Sequence, residues 1–259
     1  MTAHSTSLQK APRPLLLVLH DMYGLDDFTK NVAERLVPQG FDVATPDLFA
    51  DAPAKADATK TDAAKETEAD KESESPADFI DYADALSDAK IVESIIAALD
   101  KVTAHAGVSG SPIGVIGWGW SGAYALMAAS HDARFSVVAD IGGVITYPVQ
   151  TAQRPGSPLN FLANIEGAFF AAFPGADPTF PDNEIQRLRG QMINHDKRGE
   201  VKVYQDAPAR FWRDEELPQT QQLWRRLEGF LREHMLEDVS PEEIDDEGAY
   251  PNEESRLHA

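Results

Sequence analysis

The 259-residue chain is 42% hydrophobic with a formal net charge of −20, which suits one large domain with its own core and argues against nucleic acid or anionic membrane surfaces as partners. It has no cysteine, so disulfides, a thiolate nucleophile and cysteine-based metal sites are excluded. No apolar run approaches the roughly 20 residues that span a bilayer, and the opening MTAHSTSLQKAPRP lacks the apolar stretch of a secretory signal, so a cytoplasmic protein is expected.

Residues 1–13 read as a tail, and the ordered domain is expected over 14–235. PLLLVLH (14–20) is a continuous apolar run, as in a strand buried on both faces of a parallel sheet. The turn DMYGLDD leads into a helix predicted over 28–39, with Val32, Leu36 and Val37 on one face and Gly40 as its stop. FDVATPDLF (41–49) is a second strand ending at a proline. Residues 51–78, DAPAKADATKTDAAKETEADKESESPAD, form an acidic low-complexity insert with almost nothing to bury. The run from Phe79 to Gly107 is strongly helical, with Ile91, Ile95, Ile96 and Leu99 at helical spacing.

IGVIGWGWSGAY (113–124) is then a buried strand running into a glycine-dense turn and a helix over 121–130. Strands follow at 135–145, 167–175 and 201–207, with helices at 182–197 and 219–235. Alternating strands and helices within one domain specify an α/β architecture, a doubly wound, mostly parallel sheet with helices on both faces. The acidic tail 236–259 holds nine acidic residues against one arginine from Glu237 onward, too polar to order itself. Both acidic segments read as solvated chain; their alternative reading is docking to a basic protein partner, with Ile244 and Tyr250 as anchors.

In such a sheet, ligands sit beyond the carboxyl ends of the strands. The four segments there are HDMYGL, GWGWSG, FPGADPTFP and YQDAPARF. Their order matches the oxyanion loop, nucleophile elbow, acid and histidine of an α/β-hydrolase. LLVLHDMYGLDDFTKNVAERLVPQGFDVATPDLF resembles the opening of dienelactone hydrolase (carboxymethylenebutenolidase-like) family proteins. IGVIGWGWSGAYALMAA is similar to the family's elbow, and FPGADPTFP and VYQDAPARF to its acid and histidine loops. The resemblance runs from about Pro14 to Met235 and fails in the two acidic segments.

The resemblance implies a carboxylic-ester or lactone hydrolase, with two gaps. The family's nucleophilic cysteine falls on Gly119 and its histidine on Ala209. Glycine cannot attack and alanine cannot take a proton. The triad acid carries over onto Asp177. The loop carboxylate carries over onto Asp21, shorter than the usual glutamate. Backbone N–H groups of Met22 and Trp120 are the candidate oxyanion donors, which do not depend on side-chain identity.

Ser121 in GWSGA matches the G-x-S-x-G pattern loosely, but register places the tight turn at Gly119 and Ser121 in the first helical turn, where it caps or packs. As a base, only His20 is placed to serve; its ordinary reading is a half-buried strand-end residue with one hydrogen bond. His131 and His195 read as helix ends, and His4, His105, His234 and His258 as tail or helix-end residues. Seven histidines without close ligand spacing give no metal site, and no cofactor is implied. Trp118, Trp120 and Tyr23 flank the elbow and oxyanion loop, while Arg210, Phe211 and Trp212 follow Ala209. Arg210 is a candidate holder of a carboxylate or phosphate, its ordinary alternative being a pair with Asp177 or Asp206, or solvent.

Three functions are open at this point. One is a non-catalytic family member binding a small carboxylate or ester ligand or a protein partner. The second is an ester or lactone hydrolase using Ser121 and His20. The third is a scaffold acting through its acidic segments.

Overall fold

The computed structural model describes residues 13–50, 86–106 and 110–236. The acidic insert, most of the N-terminal tail and the acidic tail therefore lie outside the described residues, along with the partner surface expected on them. Six strands form one parallel sheet: β1 (Leu15–Leu19), β2 (Asp42–Ala44), β3 (Ile113–Trp118), β4 (Phe135–Ile141), β5 (Ala168–Pro174) and β6 (Gly199–Tyr204). Their spatial order is β2-β1-β3-β4-β5-β6. Among the described residues the α-helices are α1 (Asp27–Leu36), α2 (Asp88–Ala106), α3 (Gly122–His131), α4 (Asp182–Asn194) and α5 (Pro218–Met235).

Continuous apolar runs in the central strands follow from burial on both faces. In β1, Leu16 and Val18 face α1 and α5, where Val32, Leu36, Trp224, Leu227 and Leu231 meet them. Leu15, Leu17 and Leu19 face α2, α3 and α4, against Ile91, Ile95, Tyr124 and Leu188. The sheet is thus the middle of three layers. Its edges are thinner: β2 is three residues long, and on the outer strand β6 the Val201 carbonyl accepts from Arg189 Nη2 at 3.1 Å, which helps blunt an edge that could otherwise recruit another strand.

Several boundaries differ from the sequence reading, each for a local reason. The helix expected over 28–39 starts at Asp27, because Asp26 caps it by accepting from Thr29 N at 3.0 Å. It gives way to a 3₁₀ turn at Val37–Gln39, since Pro38 brings no N–H to the α-helical ladder. The strand expected over 41–49 stops at Ala44; Pro46 has no ladder donor, and the chain turns back across the end of β1. Of the run 79–107, residues 79–85 and 107 lie outside the described residues; among the rest, α2 begins at Asp88 behind Ser87, whose hydroxyl accepts from Lys90 N at 3.2 Å. β4 ends at Ile141, four residues early, at the turn Gly142-Gly143. α4 ends at Asn194, and β6 is shifted to begin at Gly199.

All parallel strands point the same way, so the ends of β1, β3, β5 and β6 reach one edge of the molecule. Two backbone bonds lace the last two loops together: Gly175 N to Tyr204 O at 2.8 Å and Ala176 N to Ala207 O at 3.0 Å.

Near the same end, β4 carries a buried carboxyl. Asp140 pairs in register with Gly117 of β3 and accepts from Gly143 N at 2.7 Å. A Cβ at Gly122 would lie 2.0 Å from its Oδ1, so glycine there makes room for it. Burial pushes the Asp140 carboxyl up from 3.8 to about 7. Between those values the folded chain holds a proton that the unfolded chain has lost, so stability falls as pH rises from about 4 to about 7. Asp140→Asn keeps an acceptor for Gly143 and removes the titration. Denaturant melts are expected to show the wild type losing on the order of 2–4 kcal/mol relative to this variant between pH 4 and pH 8; parallel pH profiles of the two would contradict the assignment.

Candidate functional site

The elbow forms as its sequence dictates. β3 runs through Trp118, Gly119 turns at φ +56°, and a 3₁₀ turn (Gly119–Ser121) leads into α3. A left-handed backbone is strained for any residue with a Cβ, and glycine takes it without that strain. The elbow residue is therefore Gly119, which has no side chain to react.

What occupies the space above it is the carboxylate of Asp21, from the loop after β1. Its Oδ1 accepts from Met22 N at 2.8 Å and from Trp120 N at 2.9 Å. These are the two N–H groups expected to hold an oxyanion, and they do converge on one oxygen, that of a side chain of the same protein. A Cβ built on Gly119 would lie 2.4–2.6 Å from the three terminal atoms of Asp21. The residue is 2% exposed. Its second oxygen, Oδ2, has no hydrogen-bond partner among the described residues and lies 3.9 Å from Arg213 Nη2.

Arg213 is a residue the sequence reading missed. Its Nη1 donates to Asp26 Oδ2 at 2.8 Å, while its Nε and Nη2 are buried without partners among the described residues. Its guanidinium lies 4.7 Å from the ring centres of both Tyr23 and Phe28. Its signal in the sequence is a basic residue directly after the pair Phe211-Trp212. Arg210 is exposed, adopts φ +56°, stacks 4.8 Å from the Tyr23 ring, donates to the Tyr23 hydroxyl and contacts Met22 Sδ at 3.2 Å. It pairs with neither Asp177 nor Asp206, as the ordinary reading had it, and it does not lie free in solvent. Tyr23 thus sits with a guanidinium against it from each of two residues, a cation–π arrangement that fixes the oxyanion loop to the loop after β6.

The hydroxyl of Ser121 is wholly buried and points away from the turn. It accepts from Trp118 N at 3.0 Å, and its one proton is shared between Leu19 O at 3.1 Å and Trp118 O at 3.2 Å. It ties the end of β1 to the end of β3. His20 is fully buried rather than half-buried, and both ring nitrogens are engaged rather than one. Nε2 lies 2.9 Å from Leu48 N and 3.7 Å from Asp47 Oδ1, and Nδ1 lies 2.7 Å from Asp21 O. It holds the loop after β2 in place and contacts no serine.

Asp177 is half-exposed and accepts from Thr179 N at 2.9 Å, shaping its own turn. Ala209, the residue that the resemblance sets at the histidine position, is exposed on the neighbouring loop. The other described histidines are engaged locally: His131 with Met127 O at 2.8 Å, His195 with Gln191 Oε1 at 2.9 Å, and His234 edge-on to the Phe230 ring at 4.4 Å. Of the aromatics expected around the site, Trp118, Phe211 and Trp212 are buried core. Trp118 packs on Trp224 and edge-on to Phe28, and Trp212 covers Gly142. Trp120 is half-exposed and links Phe49 to Tyr124.

Behind Trp120 lies a second polar cluster. Asp88 Oδ1 accepts from Tyr124 at 3.0 Å and Tyr147 at 3.2 Å, with Arg154 Nε at 4.0 Å. Burial raises the Asp88 carboxyl and both phenols, so the tyrosines stay protonated donors. The cluster joins the start of α2, the elbow helix and the loop after β4.

A six-stranded parallel sheet between helical layers, with a glycine-tipped elbow facing an oxyanion loop, is an α/β-hydrolase fold. A profile of the dienelactone hydrolase family matches residues 1–235, and the chain belongs to that family. It is 26% identical over 229 residues to a Bradyrhizobium sp. protein named "Probable 2-oxo-3-(5-oxofuran-2-ylidene)propanoate lactonase", covering 86% of this chain and 84% of that one. Among solved structures it resembles a dienelactone hydrolase-like promiscuous phosphotriesterase, P91, from metagenomic libraries (TM-score 0.57, 19% identity, 88% of this chain and 89% of the other). It also resembles a dienelactone hydrolase from Anabaena variabilis (TM-score 0.58, 14% identity, 88% of each chain). Among the described residues, no helix is long and apolar enough to cross a membrane.

The contact between Gly119 and Asp21 is open to a double-mutant cycle. Gly119→Ala costs about 1–2 kcal/mol for the left-handed backbone alone, and the collision with the carboxylate adds to it. In an Asp21→Ala background that second part vanishes. The pair is expected to cost less than the sum of its single changes by about 0.5–3 kcal/mol in denaturant melts; strict additivity would place the carboxylate elsewhere.

Proposed function

We propose that this family member has given up the family's nucleophile–histidine route and serves to bind a small carboxylate or ester ligand without turning it over. The reading rests on one observation: the tip of the elbow is a glycine whose missing side chain leaves room for the Asp21 carboxylate. The Ala209 methyl in the histidine loop points the same way, because loss of either member of such a pair already removes most of the rate. Asp177, Asp21 and the N–H groups of Met22 and Trp120 are then the remains of a catalytic site, and Arg210 and Tyr23 form the rim a ligand would meet. A cytoplasmic place of action is part of the proposal and rests on sequence alone, as does docking of a basic partner to the acidic insert or tail.

Hydrolysis through Ser121 is disfavoured by its buried hydroxyl, which is committed to Leu19 and Trp118, and by the engagement of both His20 nitrogens. Purified full-length protein is expected to leave a fluorophosphonate probe unreacted. It should also hydrolyse p-nitrophenyl acetate and simple lactones no faster than an Asp177→Ala variant does. Probe found on Ser121 by mass spectrometry, or turnover that disappears in Asp177→Ala, would end this reading.

A further inference from the structure

We infer that the Asp21 carboxylate is an internal stand-in for the oxyanion, so that the site is a small-anion hole closed from within by the chain's own side chain. Two backbone N–H groups aimed at one point, at the start of a ten-residue helix, form an anion-binding geometry. In this structure Asp21 Oδ1 sits at that point, 2.8 and 2.9 Å from the two nitrogens. The second, independent sign that the place is built for negative charge is the unfilled bonding capacity beside it. Asp21 Oδ2, nearly fully buried, and the Arg213 Nε and Nη2 groups all lack a hydrogen bond among the described residues, and Nη2 approaches Oδ2 only to 3.9 Å. The donors are already present; what is unusual is that the acceptor is tethered.

A tethered acceptor competes with any free one. Its local concentration is that of a group held at bonding distance, so an external carboxylate enters only after Asp21 has left. The affinity of the wild type for a small monocarboxylate is reduced by the fraction of time the hole is open. Shortening the side chain removes the competitor and keeps the donors. The chemical class admitted is a small monocarboxylate, with formate, the carboxyl group alone, as the probe. The inference deepens the proposed function, since it concerns the same site. It is tested separately: turnover reads chemistry, anion binding reads the hole, and each can fail alone.

The experiment compares full-length wild type with Asp21→Ala in sodium formate and in sodium chloride at matched ionic strength. Asp21→Ala is expected to melt lower than wild type. Formate should then raise its Tm in a saturable way, by on the order of 2–4 °C at several times its dissociation constant, while wild type gains a smaller rise over chloride at the same concentrations because Asp21 must first leave the hole. Folded Asp21→Ala that responds alike to formate and chloride would overturn the inference. Should Asp21→Ala accumulate folded only in formate, that rescue supports it. If it fails to fold in either salt, Asp21→Asn carries the test through the amide resonances of Met22 and Trp120. Replacing the carboxylate by a neutral carbonyl on those two N–H groups is expected to move their proton shifts more than those of residues elsewhere; unmoved shifts would overturn the inference.

Discussion

The site end of this molecule depends on one carboxylate oxygen that accepts from two backbone N–H groups ninety-eight residues apart in sequence, those of Met22 and Trp120. One belongs to the loop leaving β1 and the other to the elbow leaving β3. Charge-assisted bonds to backbone donors are stronger than neutral ones, and the accepting side chain here is buried, though its two donors are only half so. Asp21 is therefore a cross-link between adjacent strand ends, with Arg213 as the counter-charge nearest its free oxygen.

Ser121 and His20 extend the same cross-link. A serine hydroxyl between Leu19 O and Trp118 N binds the two strands just beneath the carboxylate, and an imidazole bridging Asp21 O and Leu48 N secures the loop from β2. Both residues have the chemistry of catalysis and the surroundings of structure. A buried polar group that spends its whole donor and acceptor capacity on backbone is held in place by the cost of leaving those partners unmet. Tyr23, stacked by Arg210 and Arg213, closes the outer side. The result is a rigid set of loops around a place where a reacting group would normally be free.

Much of this was legible in the chain. The apolar runs of β1 and β3 through β5 announced a doubly covered parallel sheet, and the glycine-dense turn after Trp118 placed the elbow at Gly119. Boundaries failed where one residue's chemistry overrode a pattern: Pro38 ended α1 in a 3₁₀ turn, Pro46 stopped β2, and Ser87 started α2. The site was legible as a set of positions but not as a set of contacts. Nothing in HDMYG says that the aspartate folds back onto its own neighbour's N–H, because that depends on the empty space above Gly119, a hundred residues away. Arg213 and Asp140 were missed for a related reason. Each draws its significance from what surrounds it in three dimensions, respectively a pair of aromatic rings and a pair of glycines.

The bare glycine at the elbow and the position of the Asp21 carboxylate are physically one feature. A side chain at position 119 and a carboxylate on the Met22 and Trp120 donors cannot coexist, since the first would sit within 2.6 Å of the second. An oxyanion hole accelerates acyl transfer because its dipoles are fixed in advance and meet their full charge only in the transition state. Here those dipoles already solvate a full charge in the ground state. An acyl group approaching them finds no unspent stabilisation, and must first displace a carboxylate into a cleft where its other oxygen has only Arg213 for company. The backbone N–H groups of Met22 and Trp120 thus help hold the resting structure together.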